Sequence, residues 1–148
     1  VNGYTYGNIK SKISYNEKKK RKRNVYDLLR FTVVVSDDDY VDVCTLYTSY
    51  FSLNTTKTRN YWLQLYPYKG YHIQVLDYFI PYEVQIHTVH SHALRENKIH
   101  HMLYKLSISC KNNAVLLAII ITLRFCLSVF VQVRAGKIRR RFERDNQP

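Results

Sequence analysis

The order of apolar and polar runs predicts an α+β fold of the split βαβ, ferredoxin-like kind. That is an antiparallel sheet with two helices on one face, a long protruding β-hairpin and basic tails. Three observations carry the prediction. A β-branched run, Phe31-Thr32-Val33-Val34-Val35, leads straight into a helix-start signal. Residues 83–110 hold two period-two segments separated by a polar, charged stretch. Residues 112–136 begin as an apolar helix and end in alternating valines. The resulting order is strand, helix, strand, strand, helix, strand. At 148 residues the chain is long enough to bury a core as one domain.

The first element is an arm. Residues 1–24 are polar and end in six consecutive cations, Lys18, Lys19, Lys20, Arg21, Lys22 and Arg23, which repel one another and cannot form a packed element alone. The folded domain is expected over 25–136. Its first strand closes at Ser36, read as a helix N-cap, and Asp37, Asp38 and Asp39 complement the positive end of the helix. Three adjacent carboxylates on one turn point in different directions, which favours capping over a metal site.

A helix is expected over 40–58, with Tyr40, Val43, Tyr47 and Tyr50 on one stripe, followed by a polar turn, "NTTKTRN". Residues 61–92 read as extended, punctuated by Pro67, Gly70 and Pro81. Within them Val84, Ile86 and Thr88 alternate with Glu83, Gln85 and His87. "SHALRENK" (91–98) reads as a charged turn, and beyond it His100, Met102, Tyr104, Leu106, Ile108 and Cys110 share one strand face. Residues 83–110 are therefore expected to form a hairpin with a basic, histidine-rich tip. A helix of ten to twelve residues from Ala114 and a strand over Val129, Val131 and Val133 close the fold. Residues 137–148 form a basic tail containing Arg139, Arg140 and Arg141.

The chemistry implied by composition is polyanion binding. Lys and Arg number 23 against 11 acids, a net charge of +12. The three cysteines, Cys44, Cys110 and Cys126, have no CxxC spacing and suit buried, reduced thiols. No GxGxxG, no phosphate-cradling GKS or GKT and no nucleophile elbow occurs, so no enzymatic activity, cofactor or metal is expected. His90 and His92 lie two apart, but no cysteine nearby completes a zinc pattern.

At this point the sequence resembles the small-subunit ribosomal protein S-ten family. "VVVSDDD" (33–39), with Ser36 and Asp38, is similar to the end of that family's first strand. "IPYEVQIHTVHSHALRENK" (80–98) is similar to its second strand and hairpin tip through Pro81, Thr88, Val89, Ser91, His92, Arg95 and Lys98. "HMLYKLSIS", "NNAVLLAIIITL" and "SVFVQVRAG" then stand for the third strand, last helix and last strand. The resemblance implies a structural component of the small ribosomal subunit acting in translation, a ribonucleoprotein constituent with no small-molecule substrate. Its rRNA contacts would be His90, His92, Arg95 and Lys98 at the tip, with Lys18–Arg23 and Arg139–Arg141 neutralising phosphates.

The AT-type composition, rich in Tyr, Asn, Ile and Lys, fits an organellar or AT-rich genome; with the divergence from the family it resembles, the resemblance implies the mitochondrial ribosome, with a cytoplasmic or other organellar ribosome as the alternative. Because the last helix is apolar all round, a neighbouring small-subunit protein is expected over residues 115–123. Two other functions stay open: a free-standing RNA-binding protein of the same fold, and a small single-span membrane protein anchored by 114–133. Arg124 near the middle of that span weighs against the membrane, at about 2.5–3.5 kcal/mol.

Overall fold

Val33, Val34 and Val35 are extended as their β-branching dictates, but the sheet they enter is mixed rather than antiparallel. The computed structural model describes residues 3–9, 16, 27–64, 67–76 and 80–145. Its elements are β1 (Tyr4–Ile9), β2 (Leu29–Val35), α1 (Tyr40–Tyr50), β3 (Thr55–Asn60), a 3-10 turn (Tyr61–Leu63), β4 (Tyr71–Leu76), β5 (Pro81–Thr88), α2 (Val89–Glu96), α3 (Lys98–Ser109) and α4 (Ala114–Asp145). The chain divides into two compact units, Val1–Asn60 with Gly70–Thr88, and Tyr61–Lys69 with Val89–Pro148.

In the first unit five strands lie in the order β1-β2-β5-β4-β3. β2 and β5 run parallel and the other neighbours antiparallel. α1 starts later than the Ser36 cap implied. Ser36 Oγ accepts from the Asp39 amide at 3.1 Å and donates to Asp39 Oδ2 at 2.8 Å, so the serine ties a turn and Asp39 takes the N-cap position. α1 then buries Tyr40, Val41, Val43 and Cys44, and the Tyr40 hydroxyl donates to the Ile86 carbonyl at 2.7 Å. Burial pushes the Cys44 thiol upward, against a smaller pull from its hydrogen bond with Tyr40.

The helix expected over 40–58 stops at Tyr50, because the threonine-rich "TTKTRN" is an edge strand paired with β4 and not a turn. Its Lys57 and Arg59 are the kind of exposed cations that keep an edge from pairing further.

The second unit overturns the hairpin. β5 ends at Thr88, and the residues read as its tip and return strand are α2 and α3. Asn97 breaks the two helices apart and caps the second, its side chain accepting from the His100 amide at 3.0 Å. The alternation seen over 100–110 was misleading. The residues α3 buries are His100 and Leu103, three apart, as a helix requires.

The last helix and last strand are one 32-residue helix, started by Asn113, whose Oδ1 accepts from the Leu116 amide at 3.0 Å. Its buried stripe, Ile120, Arg124, Ser128, Val131, Ala135, Ile138 and Phe142, steps by three and four, so the alternating valines ride on a helical period. The ferredoxin-like arrangement with two helices is thus replaced by a five-stranded mixed sheet and four helices among the described residues.

Candidate active site

Side chains paired across neighbouring strands share a face, so register alone assembles the site. One row crosses the sheet as Asn8, Arg30, Glu83, Gln74 and Lys57. The next row runs Tyr6, Thr32, Gln85, His72 and Arg59. These two rows are polar, apart from the Tyr6 ring. The opposite face carries Val33, Val84, Ile73 and Val75 and receives α1.

A cavity of about 610 Å3 opens on that apolar face, lined by Phe31, Tyr47, Tyr50, Phe51 and Tyr82 among others and by no charged side chain. Volume therefore points to one face and chemistry to the other. A site that handles charge belongs on the polar face.

Glu83 is the centre of the polar face. Its Oε1 lies 3.2 Å from His72 Nδ1, and its Oε2 accepts from Gln85 Nε2 at 2.6 Å and from Arg30 Nε at 3.3 Å. Arg30 reaches on to Asp27 Oδ2 at 3.2 Å. Glu83, Gln85, His72 and Asp27 are all buried, and the Oε1 of Gln85 accepts no hydrogen bond. Burial alone would raise the Glu83 pKa. The hydrogen bond and charge of His72, the charge of Arg30 and the Gln85 bond outweigh it and hold the carboxyl down to about 2. The His72 charge acts only while that ring is protonated. His87, fully buried, sets its ring 6.2 Å from that of His72, edge to face.

The two rows thus set Arg30, Lys57 and Arg59 around the Glu83 carboxylate, which stays ionised at neutral pH. Such a surface can neutralise a chain of phosphates and hold one hydroxyl or one cation beside it. Among the described residues no three His, Cys, Asp or Glu side chains gather as a metal cage. Mg2+, however, is usually held by one or two carboxylates together with substrate phosphates. Glu83 and Asp27, joined through Arg30, fit that requirement.

The residues singled out from the sequence lie elsewhere. Lys18, Lys19, Lys20, Arg21, Lys22 and Arg23 fall outside the described residues. His90 and His92 are half-buried on α2, His90 5.9 Å from the Phe130 ring and His92 3.9 Å from Glu96. Burial lowers the His92 pKa, with Glu96 opposing and Arg95 assisting. Arg95 lies 3.7 Å from Glu96, and Lys98 opens α3. Arg139, Arg140 and Arg141 belong to α4, Arg139 pairing with Glu143 at 2.8 Å.

Sequence reasoning missed Arg30, His72, Glu83 and Gln85. The signal was the alternation that puts Glu83, Gln85 and His87 together on one face of a strand.

A model of the family described as the region found in RelA / SpoT proteins matches residues 5–109. Among solved structures, the small alarmone synthetase 2 from Bacillus subtilis is similar with a TM-score of 0.63 at 16% identity, over 95% of this chain and 81% of that one. The small alarmone synthetase 1 from the same organism gives 0.59 at 18%, over 95% and 81%. A GTP pyrophosphokinase family protein from Streptococcus pneumoniae gives 0.58 at 16%, over 96% and 77%. The small alarmone synthetase 1 has also been solved bound to its product pppGpp and to AMPCPP. At these identities the structures show a shared fold. No curated protein sequence matches the chain.

These findings overturn the ribosomal resemblance, and with it the small-subunit role, the rRNA and ribosomal-protein partners, the absence of a small-molecule substrate and the absence of enzymatic activity. What misled was generic: a β-branched strand before a Ser-x-Asp cap, and a Pro before an apolar strand, occur in many α+β folds. The free-standing RNA-binding protein falls with that fold. The single-span reading also lacks support. α4 is long and apolar enough to cross a bilayer, but it buries Arg124 and Ser128 on the same stripe as its core residues.

Proposed function

Because this chain belongs to the family of the region found in RelA / SpoT proteins, we propose that it is a nucleotide pyrophosphokinase of the alarmone-synthetase type. The family match over residues 5–109 carries the reading. The polar rows supply its chemistry. A product of the pppGpp kind bears a diphosphate on the ribose. In AMPCPP a methylene replaces the oxygen between the α and β phosphates, the bond a diphosphate donor must break. The reaction class is therefore attack of a guanine-nucleotide ribose hydroxyl on the β-phosphorus of a triphosphate. An O–P bond forms, the bond from the β-phosphorus to the α–β bridging oxygen breaks, and a nucleoside monophosphate leaves.

Arg30, Lys57 and Arg59 offset the charge of the phosphates along the platform. Glu83 accepts the hydroxyl's hydrogen bond and aims it. A carboxyl held near pKa 2 is a weak base, so Glu83 orients the hydroxyl and the departing proton is released to solvent as the O–P bond forms. Asp27 and Glu83 would be the residues to hold a divalent cation, which would supply positive charge against the transferred group.

The test is direct. The purified chain, incubated with ATP and either GTP or GDP, should yield AMP and a guanine nucleotide carrying two additional phosphates, resolved by anion-exchange chromatography. Glu83→Gln should abolish it. A folded chain that forms no such product from either acceptor, with Mg2+ or Mn2+ present, refutes the proposal.

A further inference from the structure

A buried charge is ordinarily met by an opposite one. Arg124 on α4 departs from that rule. It is 7% exposed, its Nε makes no hydrogen bond, and its Cζ lies 5.2 Å over the Tyr104 ring of α3. His100, one turn before Tyr104, is 4% exposed, and its Nε2 also makes no hydrogen bond. Among the described residues of the second unit, these are the two buried side-chain polar atoms without a partner.

The acids of that unit are engaged elsewhere. Glu96 faces His92 and Arg95, Glu143 pairs with Arg139, and Asp145 pairs with Arg144. The first turn of α3 contains no acid, so the positive end of that helix adds to the same deficit. Burial, then the charges of Arg124 and His101, lowers the His100 pKa, which places the guanidinium close enough to repel a protonated imidazole.

We propose that Arg124 and His100 hold a small oxoanion of the phosphate type between α3 and α4. A water molecule can satisfy the two nitrogens but leaves the guanidinium charge unmet. A tetrahedral oxoanion answers both needs. It accepts from Arg124 Nε and His100 Nε2 through different oxygens, and its charge favours the protonated imidazole. The low exposure of both residues leaves a narrow entry that suits a small ion. None of these residues belongs to the polar rows of the sheet, so the ion is not a substrate phosphate of the proposed reaction. Once bound it ties α3 to α4, and anion concentration then sets part of the stability of the second unit.

Thermal melts of the full chain at pH 7 test this. About 10 mM phosphate should raise the melting temperature above that in sodium chloride of equal ionic strength by about 3–5 °C, the rise that linkage gives for a dissociation constant of about 1 mM. Arg124→Met, similar in length and uncharged, should lose most of that rise, measured against its own melt in chloride. Lys57→Ala with Arg59→Ala should keep it. Occupancy is also read at His100 by NMR of histidine-labelled protein, with His100→Phe identifying the resonance. Sulfate, whose charge is constant across the titration, should move the His100 midpoint upward by about one pH unit, and should not move it in Arg124→Met. A rise that chloride reproduces, that Arg124→Met keeps, or that disappears with Lys57 and Arg59 instead, overturns the site. So does a His100 midpoint that sulfate leaves in place, the result a bound water alone would give.

Discussion

Replacing Glu83 with Gln tests the centre of the polar face through stability as well as activity. The substitution keeps shape and removes charge. Arg30, 3.3 Å from Oε2, keeps Asp27 as its acidic partner, and His72 loses the carboxylate 3.2 Å from its Nδ1. The carboxyl ordinarily titrates at 4.5 and is held at about 2 in the fold, which corresponds to about 3 kcal/mol in favour of the folded state at neutral pH. The sign follows from the depressed folded pKa. The contribution is complete above about 4.5 and is lost as pH falls through about 2.

Urea unfolding of wild type and Glu83→Gln at pH 7, 5 and 3 should therefore show a gap of about 2–3 kcal/mol at pH 7 and 5 that narrows clearly at pH 3. Turnover should be lost in the same variant at pH 7. A stability gap that is the same at all three pH values, or widest at pH 3, would refute the charge network as its origin.

His100 behaves oppositely in the second unit. Burial, then the charges of Arg124 and His101, lower its pKa to about 4. The unfolded chain protonates it first, so stability is lost as pH falls from 6.5 towards 4. Because its Nε2 makes no hydrogen bond, His100→Phe should be nearly neutral at pH 7 and more stable than wild type by about 2 kcal/mol at pH 5, read by urea unfolding. Lys57→Ala with Arg59→Ala, on exposed edge positions, should leave the melting temperature within a few degrees while raising KM for the triphosphate about tenfold or more; an unchanged KM would remove β3 from the site. Gly136 sits inside α4 with nothing within 4 Å of where a Cβ would stand, so Gly136→Ala should stabilise by about 0.5–1 kcal/mol in a thermal melt.

Local chemistry was legible in the residues alone. The β-branched run at 33–35 became a central strand, the Ser36–Asp39 stretch did precede a helix, and the alternation of Glu83 with Val84 through Thr88 did mark a strand. The excess of cations was read as pointing to rRNA, a partner the family match overturns; the phosphates proposed here are those of nucleotides.

Two properties were beyond a linear reading. Residues 98–110 and 129–133 satisfy a period of two as well as a helical one, and only packing, which buries His100 with Leu103 and Ile120 through Phe142, selects the helix. The site depends on sequence-distant partners: Arg30 meets Glu83 across 53 positions because β2 and β5 pair in parallel, and His72 meets it because β4 flanks β5. Side-chain alternation places Glu83 on one face of its strand. Whether that face meets water or a buried platform of opposite charges depends on which strands lie beside it, and pairing across the sheet decides that.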